Sequence, residues 1–322
     1  MRNLTRLPKV HLHVHLESTV RPATLRDLAA ANGVDIPEER LSFTGFREFG
    51  DYNALVRACL RTPADFTRVA REFRADEAAQ GTRYAEVTFT AAAHGERLGD
   101  PDMPLQAVLT GLADGAGIQT RVILDHSRRR PVDRAWQTFR LAAKHHEVIG
   151  IGLAGDETYP AWPFAKVFAA ARDAGLHVVH HAGETAGAAS IREAITVGRT
   201  ERLGHGIRVL EDPLLVKEVR DRPIPLEVCP CSNVALGLVP SLAAHPLPRL
   251  LEAGLPVTLN TDIPNVTGTT LTAEYQRIRD TFHYDDTVLA ALARTAVDAS
   301  FAPRATKLTL HEEIDNWLTD RT

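Results

Sequence analysis

The sequence predicts an α/β fold, a (β/α)8 TIM barrel with a helical insertion after the first strand, and three observations carry that expectation. Short apolar, β-branched runs occur eight times, at Lys9 to Leu16, Tyr84 to Thr90, Thr120 to Leu124, Val148 to Leu153, His177 to His181, Arg202 to His205, Ile224 to Val228 and Pro256 to Asn260. Most lead into Ala-, Leu- and Arg-rich stretches at helical spacing, such as Trp162 to Ala174 and Ala188 to Gly198. No fixed-period repeat, low-complexity segment or linker divides the 322 residues, so residues 1–322 read as a single domain. A chain of that length buries roughly 75% of its unfolded surface, so core size is not limiting.

The first run holds the densest chemistry, His11-Leu12-His13-Val14-His15-Leu16-Glu17. Alternation along a strand turns the three imidazoles to one face, where two of them can share one metal ion. The insertion follows, from about Thr19 to Gly81. It reads as helices, with Phe43, Phe46 and Phe49 close together and Leu55, Val56, Cys59 and Leu60 at helical spacing. Over the C-terminal mouth of a barrel such a segment either closes on a substrate or packs as an extra helical layer.

Three later runs end in groups of matching chemistry: His181-Ala182-Gly183-Glu184, Leu203-Gly204-His205-Gly206 and Leu259-Asn260-Thr261-Asp262. Barrel enzymes assemble their sites at these strand ends. His13, His15, His181 and Asp262 make a nitrogen-rich set with one oxygen, suited to zinc or a similar borderline cation. Glu184 and His205 remain beside it as an acid and an imidazole, the parts that metal-assisted hydrolysis needs.

Composition excludes several classes. Lys plus Arg total 37 against 41 Asp plus Glu, a net charge of −4 that argues against capture of nucleic acid or an anionic membrane surface. Hydrophobic residues are 44% and charged residues 24%, which is globular composition, and three cysteines are too few for a disulfide scaffold. The N-terminus shows no signal-length apolar stretch and no run of about 18 apolar residues occurs, so the expectation is a cytoplasmic enzyme. The sequons at Asn3 and Asn265 then read as incidental.

Other motifs compete. Gly150-Ile151-Gly152-Leu153-Ala154-Gly155 fits a dinucleotide fingerprint, but Pro160 interrupts the helix that should carry a pyrophosphate. Cys229-Pro230-Cys231 has the wrong spacing for the small zinc base deaminases and reads as buried at a strand end. His145, His146 and His180 read as solvated or packing residues.

Taken in order, Leu7-Pro-Lys-Val-His-Leu-His-Val-His-Leu-Glu17, Gly152-Leu-Ala-Gly-Asp-Glu157, His181-Ala-Gly-Glu184, Arg202-Leu-Gly-His-Gly206, Glu227-Val-Cys-Pro230 with Ser232-Asn233, and Asn260-Thr-Asp262 resemble the adenosine deaminase family of metal-dependent purine deaminases. The resemblance implies one Zn2+ per chain on His13, His15, His181 and Asp262, with another divalent transition metal as the alternative. It implies that Glu184 protonates purine N1, that His205 positions and helps deprotonate the attacking water, and that Asp262 also orients it. Gly155 is implied as a backbone contact to the purine, and Glu17 faces the ribose hydroxyls. The implied activity is hydrolytic removal of the 6-amino group from an adenine nucleoside or related ring, with release of ammonia. The partner is thus a small purine-type molecule.

Three departures bear on the substrate. Ile263 stands where the family has a second aspartate that hydrogen-bonds purine N7, Ser18 replaces a common glycine, and His11 replaces an acidic residue and reads as a supporting or surface position. The alternatives are therefore a 5′-substituted adenine nucleoside such as aminodeoxyfutalosine, free adenine, or an analogue ring. Two-metal amidohydrolases bridge their ions through a modified lysine, whereas none of the five lysines closes a central run. A silent metal-binding barrel that serves as a binding module would be expected to have lost some of the six acid, imidazole and ligand groups, and all are present.

Overall fold

The computed structural model describes residues 1–37, 43, 46–113 and 117–319. Eight parallel strands follow one another in order: β1 (Lys9–His11), β2 (Thr82–Phe89), β3 (Gln119–Ser127), β4 (Val148–Ala154), β5 (His177–Ala182), β6 (Arg202–His205), β7 (Leu226–Val228) and β8 (Val257–Leu259). Helices cross over between them, as the alternating pattern predicts for a (β/α)8 barrel. All eight anticipated runs hold a strand.

β1 is shorter than its run, and the reason lies in how the barrel closes. Asn260 Oδ1 accepts from the backbone N–H groups of Leu12 and His13 at 2.8 and 3.0 Å. Beyond it, Asp262 N–H donates to His13 O and His15 N–H donates to Asp262 O, both at 3.0 Å. His13 and His15 thus lie past the strand, on extended chain that bridges to Asp262 and Thr88. The seam between first and last strands is stitched by the same segments that carry three of the expected ligands.

The inserted segment divides in two. After α1 (Pro22–Asn32), α2 (Phe46–Ala58) lines the cavity at the mouth, while α3 (Pro63–Ala79) is the crossover that returns the chain to β2. α3 starts sharply because Thr62 and Asp65 form a reciprocal cap behind Pro63: Asp65 N–H donates to Thr62 Oγ1 at 3.3 Å and Thr62 N–H to Asp65 Oδ2 at 2.8 Å. Phe66, Val69, Ala70 and Phe73 bury one face of it in the same core as β2, the Phe66 ring meeting Phe89 edge to face at 6.0 Å. On α2, Val56 and the following Cys59 and Leu60 are buried, whereas Leu55 is 36% exposed. Phe43 and Phe49 pack edge to face at 5.8 Å; the Phe46 side chain lies outside the described residues.

The glycines of the dinucleotide-like motif fall within β4 or just after it, and no helix starts on them. Inside the barrel, Arg202 is 1% exposed and spans two carboxylates, donating to Glu86 and to Glu227 at 2.5 Å each. A buried cation between two partners is retained because losing one would strand the others, at about 3–5 kcal/mol.

Candidate active site

Four ligand atoms, one each from His13, His15, His181 and Asp262, lie within 4.8 Å of one another at the C-terminal mouth. Asp262 Oδ1 stands 3.5 Å from His13 Nε2 and 3.4 Å from His15 Nε2, and His15 Nε2 faces His181 Nε2 at 3.1 Å. The ring nitrogens behind fix the tautomers. His13 Nδ1 donates to Glu227 Oε2 at 2.9 Å and His181 Nδ1 donates to Leu153 O at 3.2 Å, so both present an Nε2 lone pair to the centre. His13 Nε2 is buried without a hydrogen-bond partner. Three imidazole nitrogens and one carboxylate oxygen converging on one point are the donor chemistry that would hold a single borderline divalent cation. Burial alone would lower the basicity of His13, but Asp262 and Glu227 outweigh it and raise it to about 10, so a cation bound here would take the place of the Nε2 proton.

Local backbone geometry serves the same end. His205 and Asp262 adopt left-handed φ angles of 65° and 60°, conformations that cost about 1–3 kcal/mol for a non-glycine residue and concentrate at functional sites. A Cβ on Gly204 would stand 2.8 Å from His13 Cε1, so glycine there admits the imidazole. Ser232 Oγ donates to Asp262 Oδ2 at 2.5 Å and holds that carboxylate's second oxygen.

Beside the donor set, Glu184 is 4% exposed and its carboxyl is pushed well above the usual range, by burial first and then by the Asp262 and Glu157 carboxylates. Asp262, by contrast, is held below the usual range because contacts to His13 and the charges of the surrounding imidazoles outweigh its burial. Two neighbouring carboxyls pushed apart in this way divide into an acid and an anion. His205 Nε2 lies 3.6 Å from Glu184 Oε1, and burial, with the nearby His13, lowers this imidazole to about 3, so it is neutral. The loop that bears Glu184 hangs from Glu157, whose carboxylate accepts from the backbone N–H groups of Gly183, Glu184 and Thr185 at 2.7, 2.8 and 2.8 Å.

A cavity of about 790 Å³ opens over these groups, lined among others by His15, Glu17, Asp125, Gly155, His181, Glu184, His205 and Asp262 and, from α2, by Arg47 and Arg57. Gly155 lies on its wall with φ 93°. Glu17 is 2% exposed, and its Oε1 accepts from Thr90 N–H and from His94 Nε2 at 3.1 Å each. Those contacts outweigh burial and lower its carboxyl to about 2. Ile263 is not on the cavity wall; it is 1% exposed and packs with Phe43, Phe49, Leu236 and Val266 behind it. Ser18 is buried in the short turn Leu16–Thr19. His11 is buried rather than at the surface, its Nδ1 3.0 Å from Glu77 and its Nε2 3.1 Å from Thr261 Oγ1, so it braces the loop before Asp262.

Sequence reasoning missed Glu157, Glu227 and Asn260 as supports, although each stands inside a quoted motif, and it missed Asp125 and Ser127 at the end of β3. His180 is buried and packs on Phe168 at 4.3 Å, and His146 is exposed. Cys229 and Cys231 are buried free thiols, as expected.

A donor set of three imidazoles and a carboxylate at the mouth, with the buried Glu184 carboxyl beside it, is an arrangement suited to metal-assisted hydrolysis on a barrel of the amidohydrolase type. The family model described as adenosine deaminase matches residues 8–317, and the chain belongs to the adenosine deaminase family. A relative from Streptomyces coelicolor, provisionally named an adenosine/adenine deaminase, is 38% identical over 99% of this chain and 98% of its own. The crystal structure of adenine deaminase from Arthrobacter aurescens is similar with a TM-score of 0.93 at 34% identity, covering 97% of this chain and 99% of that one. An amidohydrolase from Burkholderia ambifaria solved with bound Zn has a TM-score of 0.86 at 25% identity, covering 98% of this chain and 94% of that one. The expected barrel fold and family resemblance are borne out, and the enzyme is a hydrolytic purine deaminase. No helix among the described residues is long and apolar enough to cross a membrane.

Proposed function

We propose that the chain hydrolyses the 6-amino group of a purine, with free adenine as the preferred substrate and a single divalent cation, zinc by the softness of the donors, on His13, His15, His181 and Asp262. The observation that carries the reaction is the pairing of the buried Glu184 carboxyl, raised well above its usual range, with His205, 3.6 Å away, against that donor set. The ion, when bound, supplies Lewis acidity that brings a water toward deprotonation at neutral pH.

The chain's own residues do the rest. Glu184 gives its proton to the ring nitrogen next to C6 as oxygen adds there, which relieves the charge that builds when aromaticity breaks. His205 orients the water through Nε2. Of the water's two protons, one passes through the Glu184 carboxylate to the amino group, which leaves as ammonia, and the other restores the proton that Glu184 gave to the ring. The atoms balance: aminopurine plus water gives oxopurine plus ammonia. Gly155 lets its backbone approach the ring edge.

Adenine is preferred here on three grounds. A solved structure that is similar in fold over 97% of this chain, with a TM-score of 0.93, is named for adenine. Glu17, the group implied for the ribose hydroxyls, already accepts two hydrogen bonds from the protein. The apolar Ile263 is buried off the cavity wall and has no hydrogen bond to offer purine N7. The comparison of kcat/KM for adenine, adenosine and adenosine 5′-phosphate tests this: adenine is expected to lead by at least about tenfold, a difference of about 1.4 kcal/mol. A lead for adenosine would assign the enzyme to nucleosides instead.

A further inference from the structure

Asp125 is a buried carboxyl that the reaction above does not use. It is the seventh residue of β3 and is 7% exposed, and its Oδ1 is buried without a hydrogen-bond partner. Strand alternation puts Asp125 and Ser127 on the face that lines the cavity, while His126 turns outward onto the Phe164 ring at 5.4 Å. An unpaired carboxylate oxygen is costly to bury, by more than an ordinary neutral group, unless a donor arrives with the ligand. Its other oxygen lies 3.8 Å from His15 Nδ1, too far for a hydrogen bond, and the Thr90 hydroxyl stands beside the carboxyl, which burial raises above its usual range.

The place of Asp125 round the mouth limits what that donor can be. The proton-bearing Glu184 follows β5, Gly155 follows β4 and Asp125 closes β3, with Glu17 beyond it after β1. A flat ring whose six-membered edge meets Glu184 and the donor set turns its five-membered half along this wall, past Gly155. A free aminopurine carries a ring N–H on that half, and a nucleoside, substituted at that nitrogen, carries none.

We propose that Asp125 reads the five-membered ring of the substrate by accepting this N–H, and so is a specificity-determining residue that selects free aminopurine bases over N9-substituted ones. This rests on the reading of the enzyme as a purine deaminase. A carboxylate on β3 favours a ring nitrogen that bears hydrogen.

The test compares adenine with 9-methyladenine, which lacks the ring N–H, in the wild-type protein, Asp125→Ala and Asp125→Asn, with metal content measured for each. The wild type is expected to prefer adenine in kcat/KM by about 10- to 100-fold, the range for one hydrogen bond to a charged group. In Asp125→Ala that preference falls to near one through loss on adenine alone, with metal content and the 9-methyladenine rate kept. Asp125→Asn, which keeps a neutral acceptor, falls between. Equal loss on both substrates together with loss of metal overturns the proposal and makes Asp125 a support for His15. An unchanged preference overturns it as well. A wild-type protein that holds metal and releases ammonia from no aminopurine overturns the reaction itself, an outcome distinct from either.

Discussion

Changing Glu184 to glutamine is expected to lower kcat on adenine by about 10²- to 10⁴-fold, the span of a lost general acid, while the protein keeps its metal and its fold. Glutamine preserves the volume and one hydrogen-bond donor of this 4% exposed side chain, so packing is not the cause of the loss. What it removes is a transferable proton. The pH profile separates the two. Burial and the Asp262 and Glu157 carboxylates raise Glu184 well above the usual carboxyl range, so the protonated, active form persists to higher pH than an exposed glutamate would allow. Wild-type kcat/KM therefore falls on the alkaline side as Glu184 loses its proton, and the residual activity of Glu184→Gln lacks that limb. A variant with a full rate, or with the same alkaline limb, would remove Glu184 from the proton path.

Asp262→Ala is expected to abolish both bound metal and turnover. Asp262 Oδ1 is the only oxygen in the donor set and lies 3.5 and 3.4 Å from the Nε2 atoms of His13 and His15. Without it three imidazoles face one another, and the attraction that raises His13 to about 10 loses one of its two carboxylates. The fold should survive, because the seam is held through backbone: Asp262 N–H to His13 O and His15 N–H to Asp262 O remain available to alanine. Metal analysis with far-ultraviolet circular dichroism checks this. Stoichiometric metal in a folded Asp262→Ala protein would contradict the donor assignment.

The strand order and much of the site were legible for one physical reason. A parallel barrel strand is buried on both faces and reads as a short apolar run, and its last residues carry the chemistry. His181, Glu184, His205 and Asp262 each end or follow such a run, so run and function could be read together. Asp125 escaped because the apolar run stops at Leu124, whereas β3 continues to Ser127 with Asp125 and Ser127 lining the cavity. The supports were hidden for a different reason. Glu227 acts through His13 from 214 residues away and Glu157 through the Glu184 loop from 27, and neither spacing has a local signature. The seam formed by Asn260, 248 residues from Leu12, likewise exists only once the barrel closes. The roles of α2 as a wall of the cavity and of α3 as a crossover could not be separated by composition, since both are amphipathic.

The most direct measurement of the central claim is turnover of adenine by metal-loaded protein in water enriched with ¹⁸O, following ammonia and the mass of the purine product. The account predicts one ammonia for each adenine consumed and one solvent oxygen at C6 of the product, with both signals lost in Glu184→Gln. A wild-type protein that holds its metal yet yields neither ammonia nor labelled product from any 6-aminopurine would contradict it.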